Sequence, residues 1–339
     1  MGWFCKDLKN KKCLNVRFFN VSKIARNLIN KCKNKFLKFN VMLAIATIII
    51  TLFIAGKIAC NILPFNESAR KGWSYFFVLK SSLLYQETFD KIALKLMIHD
   101  AKVKGNPLKL IRLGKNNDCG YVVPIEALEA SDALLGYGID NDISFEREFC
   151  QRFDKPSFGF DCGIPGIETG DNRCHFFSEC IGTSDYIYSW QTSSGHVSSF
   201  SDQLQRLKLT DKKVFIKMDI EGAEFEVLNG ILDYSNNITG IVLELHISLK
   251  NAEKALDILS SLERNFVLIH LHGNNVSLEY FKTKYAKNHI PFALELTYVN
   301  KNLLSSYEIS DNQKHPKPID QPAWPYFSDC EFEITPNAL

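Results

Sequence analysis

An excess of charge of either sign is missing from this chain: 40 Lys and Arg stand against 38 Asp and Glu, a formal charge of +2 over 339 residues. That balance excludes the broad cationic surface that draws proteins to polyanions, so no nucleic-acid partner is expected. No Cys-x-x-Cys pair occurs, alone or followed by His-x-x-x-His, which argues against a structural zinc site. No internal repeat occurs either, which excludes a solenoid. Two further absences are local. Residues 1–40 hold a single acid, Asp7, against eleven Lys or Arg, so everything beyond them is net acidic. Residues 41–56 hold no charge at all.

Lys57 can snorkel and extend that uncharged run to Leu63, near the length of about 20 residues that crosses a bilayer. Residues 41–63 therefore read as one transmembrane helix with the lipid bilayer as its partner. A core helix fits poorly with all-round apolarity flanked by charge. A secretory signal would carry a charged region forty residues long, with late cleavage as the remaining alternative. The basic amino-terminal side holds residues 1–40 in the cytosol as a tail and places residues after 64 in the Golgi or ER lumen, or outside the cell. The resulting division is stem and leading helix over 64–104, a main domain over 105–310 and a carboxyl-terminal tail over 311–339. No feature bears on oligomeric state.

Cysteine usage fits an oxidising compartment: Cys119, Cys150, Cys162, Cys174, Cys180 and Cys330 lie beyond the span, an even number. Cys162 and Cys174 bracket a Gly/Pro-rich loop at a separation that allows a disulfide, with free buried thiols as an equal alternative, since spacing alone does not fix pairing. Sequons at Asn66, Asn237 and Asn275 fall on the same exoplasmic side.

Apolar periodicity gives the order of elements. A helical stripe runs through Leu83, Leu84, Phe89, Ile92, Ala93 and Leu96. Strands are expected at 133–138, 157–161, 176–181, 214–218, 241–245, 266–271 and 293–299, and helices at 144–152, 201–207, 221–232 and 252–263. Such alternation predicts a parallel or mixed sheet covered on both faces. Residues 315–325, rich in proline, read as an unstructured or strapping tail.

The most informative segment is Val214-Phe-Ile-Lys-Met-Asp-Ile-Glu-Gly-Ala-Glu-Phe-Glu-Val-Leu-Asn-Gly-Ile231, a buried strand turning at once into an acidic helix start. Asp219 and Glu221 fall on the strand-to-helix turn, at the carboxyl edge where ligands bind in open α/β sheets. Alternatively they cap orphan amides and complement the helix dipole, as Glu224 also would.

Lys217-Met-Asp219-Ile-Glu221-Gly-Ala-Glu224 resembles the signature of the FkbM family of S-adenosylmethionine-dependent methyltransferases. In the expected order stand Arg112-Leu-Gly-Lys-Asn-Asn-Asp118-Cys-Gly-Tyr121, similar to that family's Arg-x-Gly and Asp-Gly-Gly-Tyr block, and Leu134-Leu-Gly136-Tyr-Gly138-Ile-Asp-Asn-Asp142-Ile-Ser-Phe-Glu146, similar to its first strand and cofactor loop. Val242-Leu-Glu244-Leu-His246 and Leu294-Glu-Leu-Thr-Tyr298 come next. The resemblance, over about residues 108 to 300, implies an α/β Rossmann-like class I methyltransferase fold: a mostly parallel seven-stranded sheet with helices on both faces. It also implies S-adenosylmethionine as cofactor and O-methylation, with a glycan sugar or small hydroxyl acceptor by family tendency. Two departures stand out. Leu134 occupies a position where methyltransferases usually carry an acid, leaving Asp142 or Glu146 to hold the methionine amine. Cys119 replaces a glycine, which matters if that position needs φ > 0.

The residues admit these roles on their own chemistry. Gly136 and Gly138 let the backbone approach a cofactor, and Asp161, ending the next strand, can accept from ribose hydroxyls or cap a turn. Glu244 and His246 share one face of their strand, as do Lys217 and Asp219 one strand earlier. Asp219 with Glu244 can act as base or as ligands for a divalent metal such as magnesium, and His246 as base or as a structural residue. Competing readings are a type II membrane glycosyltransferase using Asp219-x-Glu221 on a metal, and a non-catalytic binding domain on the same fold. Protease treatment of sealed microsomes should clip the amino terminus and spare everything after residue 64; the reverse pattern would overturn the topology.

Overall fold

Five consecutive buried residues at Ala133–Tyr137, and five more at Val214–Met218, require cover on both faces of a strand. The computed structural model, which describes residues 85–182, 196–277 and 279–335, places both at the centre of a seven-stranded sheet. All of these residues belong to one compact unit, Glu67–Leu339. In chain order its main elements are α1 (Gln86–Lys95), α2 (Ile125–Ala130), β1 (Ala133–Tyr137), α3 (Ser144–Phe153), β2 (Ser157–Phe160), β3 (Cys174–Phe177), α4 (Phe200–Arg206), β4 (Val214–Met218), α5 (Glu224–Leu232), β5 (Ile238–His246), α6 (Ala252–Asn265), β6 (Phe266–Gly273) and β7 (Ala293–Asn300). Spatial order is β3-β2-β1-β4-β5-β7-β6. Only β7 runs against its neighbours, pairing antiparallel with β5 and β6. The alternation predicted a parallel or mixed sheet and the resemblance a mostly parallel one of seven strands, and the sheet is of that kind.

Helices cover both faces. One core collects Phe89 and Ile92 of α1, Leu204 of α4, Leu228 of α5 and Leu259 of α6. The other packs Leu128 of α2 and Phe145 and Phe149 of α3 against Leu134, Phe215, Val242 and Val299. A hairpin, Leu110–Leu113 with Tyr121–Pro124, lies on this second face, where Thr297 Oγ1 donates to the Val122 carbonyl at 2.6 Å. Of the helical stripe expected over the leading segment, Phe89, Ile92 and Ala93 lie on α1 and Leu96 ends it, while Leu83 and Leu84 lie outside the described residues; the next strand, His99–Val103, pairs with Ser306–Ile309, so the domain takes in residues upstream of 105.

The structure differs from expectation in several places. The strand expected over 176–181 is two: β3 stays in the main sheet, and Glu179–Ile181 leaves to pair with His196–Ser198. Ser178 marks the break, its hydroxyl donating to the Ile164 carbonyl at 2.8 Å. That departure decides the disulfide. Cys180 returns beside the loop and bonds Cys162, with 4.8 Å between the Cα atoms. Cys174, the partner that spacing allowed, is held in β3 and buried beside Cys150, Ile139 and Ile143. The Asn275 sequon is buried, its carboxamide engaged by residues 324–328. Asn237 donates to the Thr210 and Lys212 carbonyls. Among the described residues no helix is long and apolar enough to cross a membrane; the predicted span 41–63, the basic tail and Asn66 lie outside them.

The proline-rich tail is a strap. Phe332–Ile334 pairs with Ala286–Lys287 and Lys314–His315. Asn117 donates to the Pro322 carbonyl at 2.9 Å. Asn275 grips Trp324 at both its N–H (2.8 Å) and its carbonyl (2.9 Å). On β6, His272 is fully buried with Nδ1 3.0 Å from Glu295 and Nε2 3.1 Å from Asp329 of the strap. Burial alone opposes charge on this ring, but the two carboxylates outweigh it and hold its pKa well above the usual imidazole range. A raised folded-state value means that the stabilisation is complete below the unfolded pKa of about 6.5 and is lost as pH rises through the folded value. His272→Gln should cost about 3–5 kcal/mol near pH 6, as expected for breaking a buried ion pair, and its deficit should shrink in alkali. Chemical denaturation of both proteins across pH reads this; a deficit that stays constant from neutral to strongly alkaline pH would refute it.

Candidate active site

The order of the sheet reverses between β1 and β4, and the cleft opens there, at the carboxyl ends of β1, β2, β4 and β5. Its volume is about 530 Å³, a size that suits a small ligand. Gly138, Asp161, Asp219, Glu221, Glu244 and His246 line it. Of the other residues singled out in the sequence, Gly136, Asp142, Glu146 and Lys217 do not.

Past β4 the chain does not enter its helix at once. Glu221 (φ 57°) and Gly222 (φ 99°) are left-handed, so α5 starts at Glu224, three residues later than periodicity suggested. A non-glycine residue in that region costs on the order of 1–3 kcal/mol, a strain the surroundings must hold. The same turn leans on β1. Asp219 N–H donates to the Tyr137 carbonyl at 3.0 Å, and a Cβ on Gly138 (φ 76°) would stand 1.6 Å from the Asp219 carbonyl oxygen. Gly138 is thus required by contact and by conformation together.

Asp219 is held from below. The Tyr121 hydroxyl, fully buried, donates to its Oδ2 at 2.9 Å. Burial, reinforced by the nearby carboxylates, pushes the phenol well above its usual pKa, so it stays a donor. Lys217 acts elsewhere. Its Nζ donates to the Tyr137 and Gly138 carbonyls and lies 5.6 Å from the Tyr121 ring centroid, tying the β1 turn to β4.

His246 faces carboxyl groups on every side. Its Nδ1 is 3.1 Å from Glu224 Oε1; its Nε2 lies 3.5 Å from Glu221, 3.7 Å from Glu244 and 3.9 Å from Asp219. Burial pulls its pKa down, but the Glu224 hydrogen bond and charge, with Glu244 and Asp219, lift it to about 10. Glu244 is buried, its Oε1 accepting from Asn274 Nδ2 at 2.8 Å, and it lies opposite Glu295 of β7. Burial, with the Asp219 charge, raises its pKa well above the carboxylate range.

Across the cleft, Asp161 organises the β1 loop. Its Oδ2 accepts from the Ile139 and Asp140 amides at 2.9 and 2.8 Å, and its Oδ1 from Gly163 at 2.7 Å. A carboxylate offers about four acceptor positions, so one is left over on this cleft-lining residue. The residues expected to hold a methionine amine are placed elsewhere. Asp142 caps α3 through the Ser144 amide at 2.9 Å and pairs with Lys115 at 3.3 Å. Glu146 is fully buried, and burial raises its pKa. Its Oε1 has no partner and stands 2.2 Å from where a Gly136 Cβ would be, so Gly136 makes room for Glu146. Asp142 and Glu146 sit at the start of α3, whose register turns them away from the cleft.

Tyr121, Asn274 and Glu224 are site residues that sequence reasoning did not place. Tyr121 and Glu224 stood inside the quoted motifs, but nothing local said that they reach Asp219 and His246. No local signal marks Asn274.

Residues 104–268 match the profile of the methyltransferase FkbM domain. No curated protein matches the chain.

Cys119 lines the cleft at φ 67°, in the left-handed region, where the FkbM-like block has glycine. Burial, and then the Asp118 charge, push its thiol up to about 12, so it is no nucleophile at neutral pH. Cys119→Gly should keep or raise the melting temperature by relieving strain, while Cys119→Val, β-branched at positive φ, should lower it; the opposite order would show that the thiol's packing outweighs backbone strain.

Proposed function

We propose that this chain, whose residues 104–268 form a methyltransferase FkbM domain, transfers a methyl group from S-adenosylmethionine to a hydroxyl, with a sugar hydroxyl of a glycan as acceptor. The observation that carries the reading is the convergence of Gly138, Asp161 and Asp219 at the point where strand order reverses, over a cleft of suitable size. The cofactor fits the residues present: Gly138 offers its backbone to the cleft, Asp161 lines it beside the Ile139 and Asp140 amides, and Ile139, Phe160 and Ile181 add apolar lining. When bound, S-adenosylmethionine supplies an electrophilic methyl on a sulfonium.

The protein's own groups do the rest. Asp161 and the backbone around Gly138 bind and orient. Asp219, one oxygen fixed by Tyr121, presents the other to the cleft and takes the proton from the acceptor hydroxyl. Asn274 and Glu244 line the same space as hydrogen-bonding groups, which suits an acceptor bearing several hydroxyls. The apolar run at 41–63 supports a single-pass anchor with the domain in the Golgi or ER lumen, or outside the cell, where glycans are abundant.

Calorimetry on the full-length protein with S-adenosylmethionine, and separately with nucleotide sugars plus manganese, separates this reading from a glycosyltransferase. Asp161→Ala should weaken cofactor binding. Asp219→Asn should leave binding largely intact and lower kcat by about 10²-fold or more, the contribution of a positioned base. The reading fails if wild-type protein binds nucleotide sugar and ignores S-adenosylmethionine, or if both variants keep full turnover on an acceptor that the wild type methylates.

A further inference from the structure

On the β5 side of the cleft, one imidazole confronts Asp219, Glu221, Glu224 and Glu244, which come from the β4–α5 turn, α5 and β5. One donor atom from each of Asp219, Glu224 and His246 lies within 4.8 Å of the others. The Lys217 ammonium, on the same strand end, is directed to the Tyr137 and Gly138 carbonyls. Even with Glu244 uncharged, a single imidazolium cannot neutralise Asp219, Glu221 and Glu224, and nothing else cationic among the described residues lines the cleft.

Glu224 supplies an independent sign that a ligand is missing. Its side chain is fully buried. Its Oε1 accepts from the Ile220 amide at 3.1 Å and faces His246 Nδ1 at the same distance, whereas its Oε2 has no partner. Leaving a buried polar atom unsatisfied costs on the order of 1–3 kcal/mol, and more when it is charged. The spacing of the donors points the same way. Two donors that share one ion at about 2.1 Å are themselves roughly 3–4 Å apart. His246 Nδ1 stands 3.1 Å from Glu224, and Asp219 offers an oxygen within 4.8 Å of a donor on each.

We propose that Asp219, Glu224 and His246 bind a divalent cation on this side of the cleft. One imidazole among carboxylates favours a first-row ion such as Mn²⁺ over Ca²⁺, which takes oxygen ligands. The ion takes the place of the His246 proton on the Nδ1 side, where Glu224 faces the ring, and Asp219 completes the set. Its consequence for chemistry rests on the methyl-transfer reading: a cation there would hold the acceptor oxygen and lower the pKa of its hydroxyl. The binding itself does not depend on that reading.

The test uses untagged full-length protein in detergent, stripped with chelator, and titrated with Mn²⁺ while the six-line resonance of the free ion is followed by electron paramagnetic resonance. Wild-type protein should remove one equivalent of free Mn²⁺ per chain. Asp219→Asn, His246→Gln and Glu224→Gln should each bind about tenfold more weakly or worse, and Lys217→Met should not lose binding. Thermal melting without metal identifies any variant that has failed to fold, in which case the wild-type stoichiometry and the remaining variants decide. The site is refuted if wild-type protein leaves the free signal undiminished, or if the folded variants bind as tightly as wild type. A chain that binds Mn²⁺ but not S-adenosylmethionine would keep this site and lose the methyl-transfer reading; the converse result would do the opposite.

Discussion

The ends of β1 and β4 touch so closely that no side chain fits between them. A Cβ at Gly138 would stand 1.6 Å from the Asp219 carbonyl, closer than any nonbonded contact. Because this contact fixes how the two strands end, it also sets the path of the chain beyond each of them. The β1 loop is drawn toward β2, where Asp161 collects the Ile139 and Asp140 amides. The β4 turn is pushed up through two left-handed residues before α5 can begin, leaving Asp219 on the lip and Glu224 beneath it. The cleft is the space that these two exits enclose.

Behind that contact lies a layer of buried polar groups on one face of the sheet. Gly136, Lys217 and Val242 are side by side in register, and one step further along Glu244 lies opposite Glu295, which faces His272. Burying so many ionisable groups is costly, and the fold offsets the cost with specific partners: Lys217 on two carbonyls, Glu244 on Asn274, His272 between Glu295 and Asp329. The carboxyl-terminal strap completes this layer, since Asp329 and Trp324 are both anchored there. The groups of the cleft and those that stabilise the fold therefore share one electrostatic environment, and substitutions at either end of it should be read as coupled.

Much of the architecture was legible from local pattern. Fully apolar runs such as 214–218 have no other home than a central strand, and the stripe through Phe89, Ile92 and Ala93 could only be a helix facing a core. The alternation of these signals led to a mixed sheet, and the position of Asp219 after a buried strand led to the cleft. What misled was chemistry carried by residue type alone. Glu146 and Asp142 looked like cofactor acids, yet they lie at the start of α3, one packed against Gly136 and the other capping that helix. Cys174 was a candidate partner of Cys162 on spacing, but the chain leaves the sheet at Ser178 and brings Cys180 back instead.

By itself the sequence determined where strands and helices form and which residues stand at their ends, because burial on one or both faces imprints a period on neighbouring side chains. It also determined that a glycine stands at position 138, where the first strand ends, and that carboxylates gather at the end of β4. Only the tertiary structure decided that Tyr121 reaches Asp219, that Glu224 grips His246 and that Asn274 meets Glu244. Those partners are 98, 22 and 30 residues apart in the chain. A hydrogen bond across such a distance depends on strand order and register, which leave no trace in the residues on either side of it.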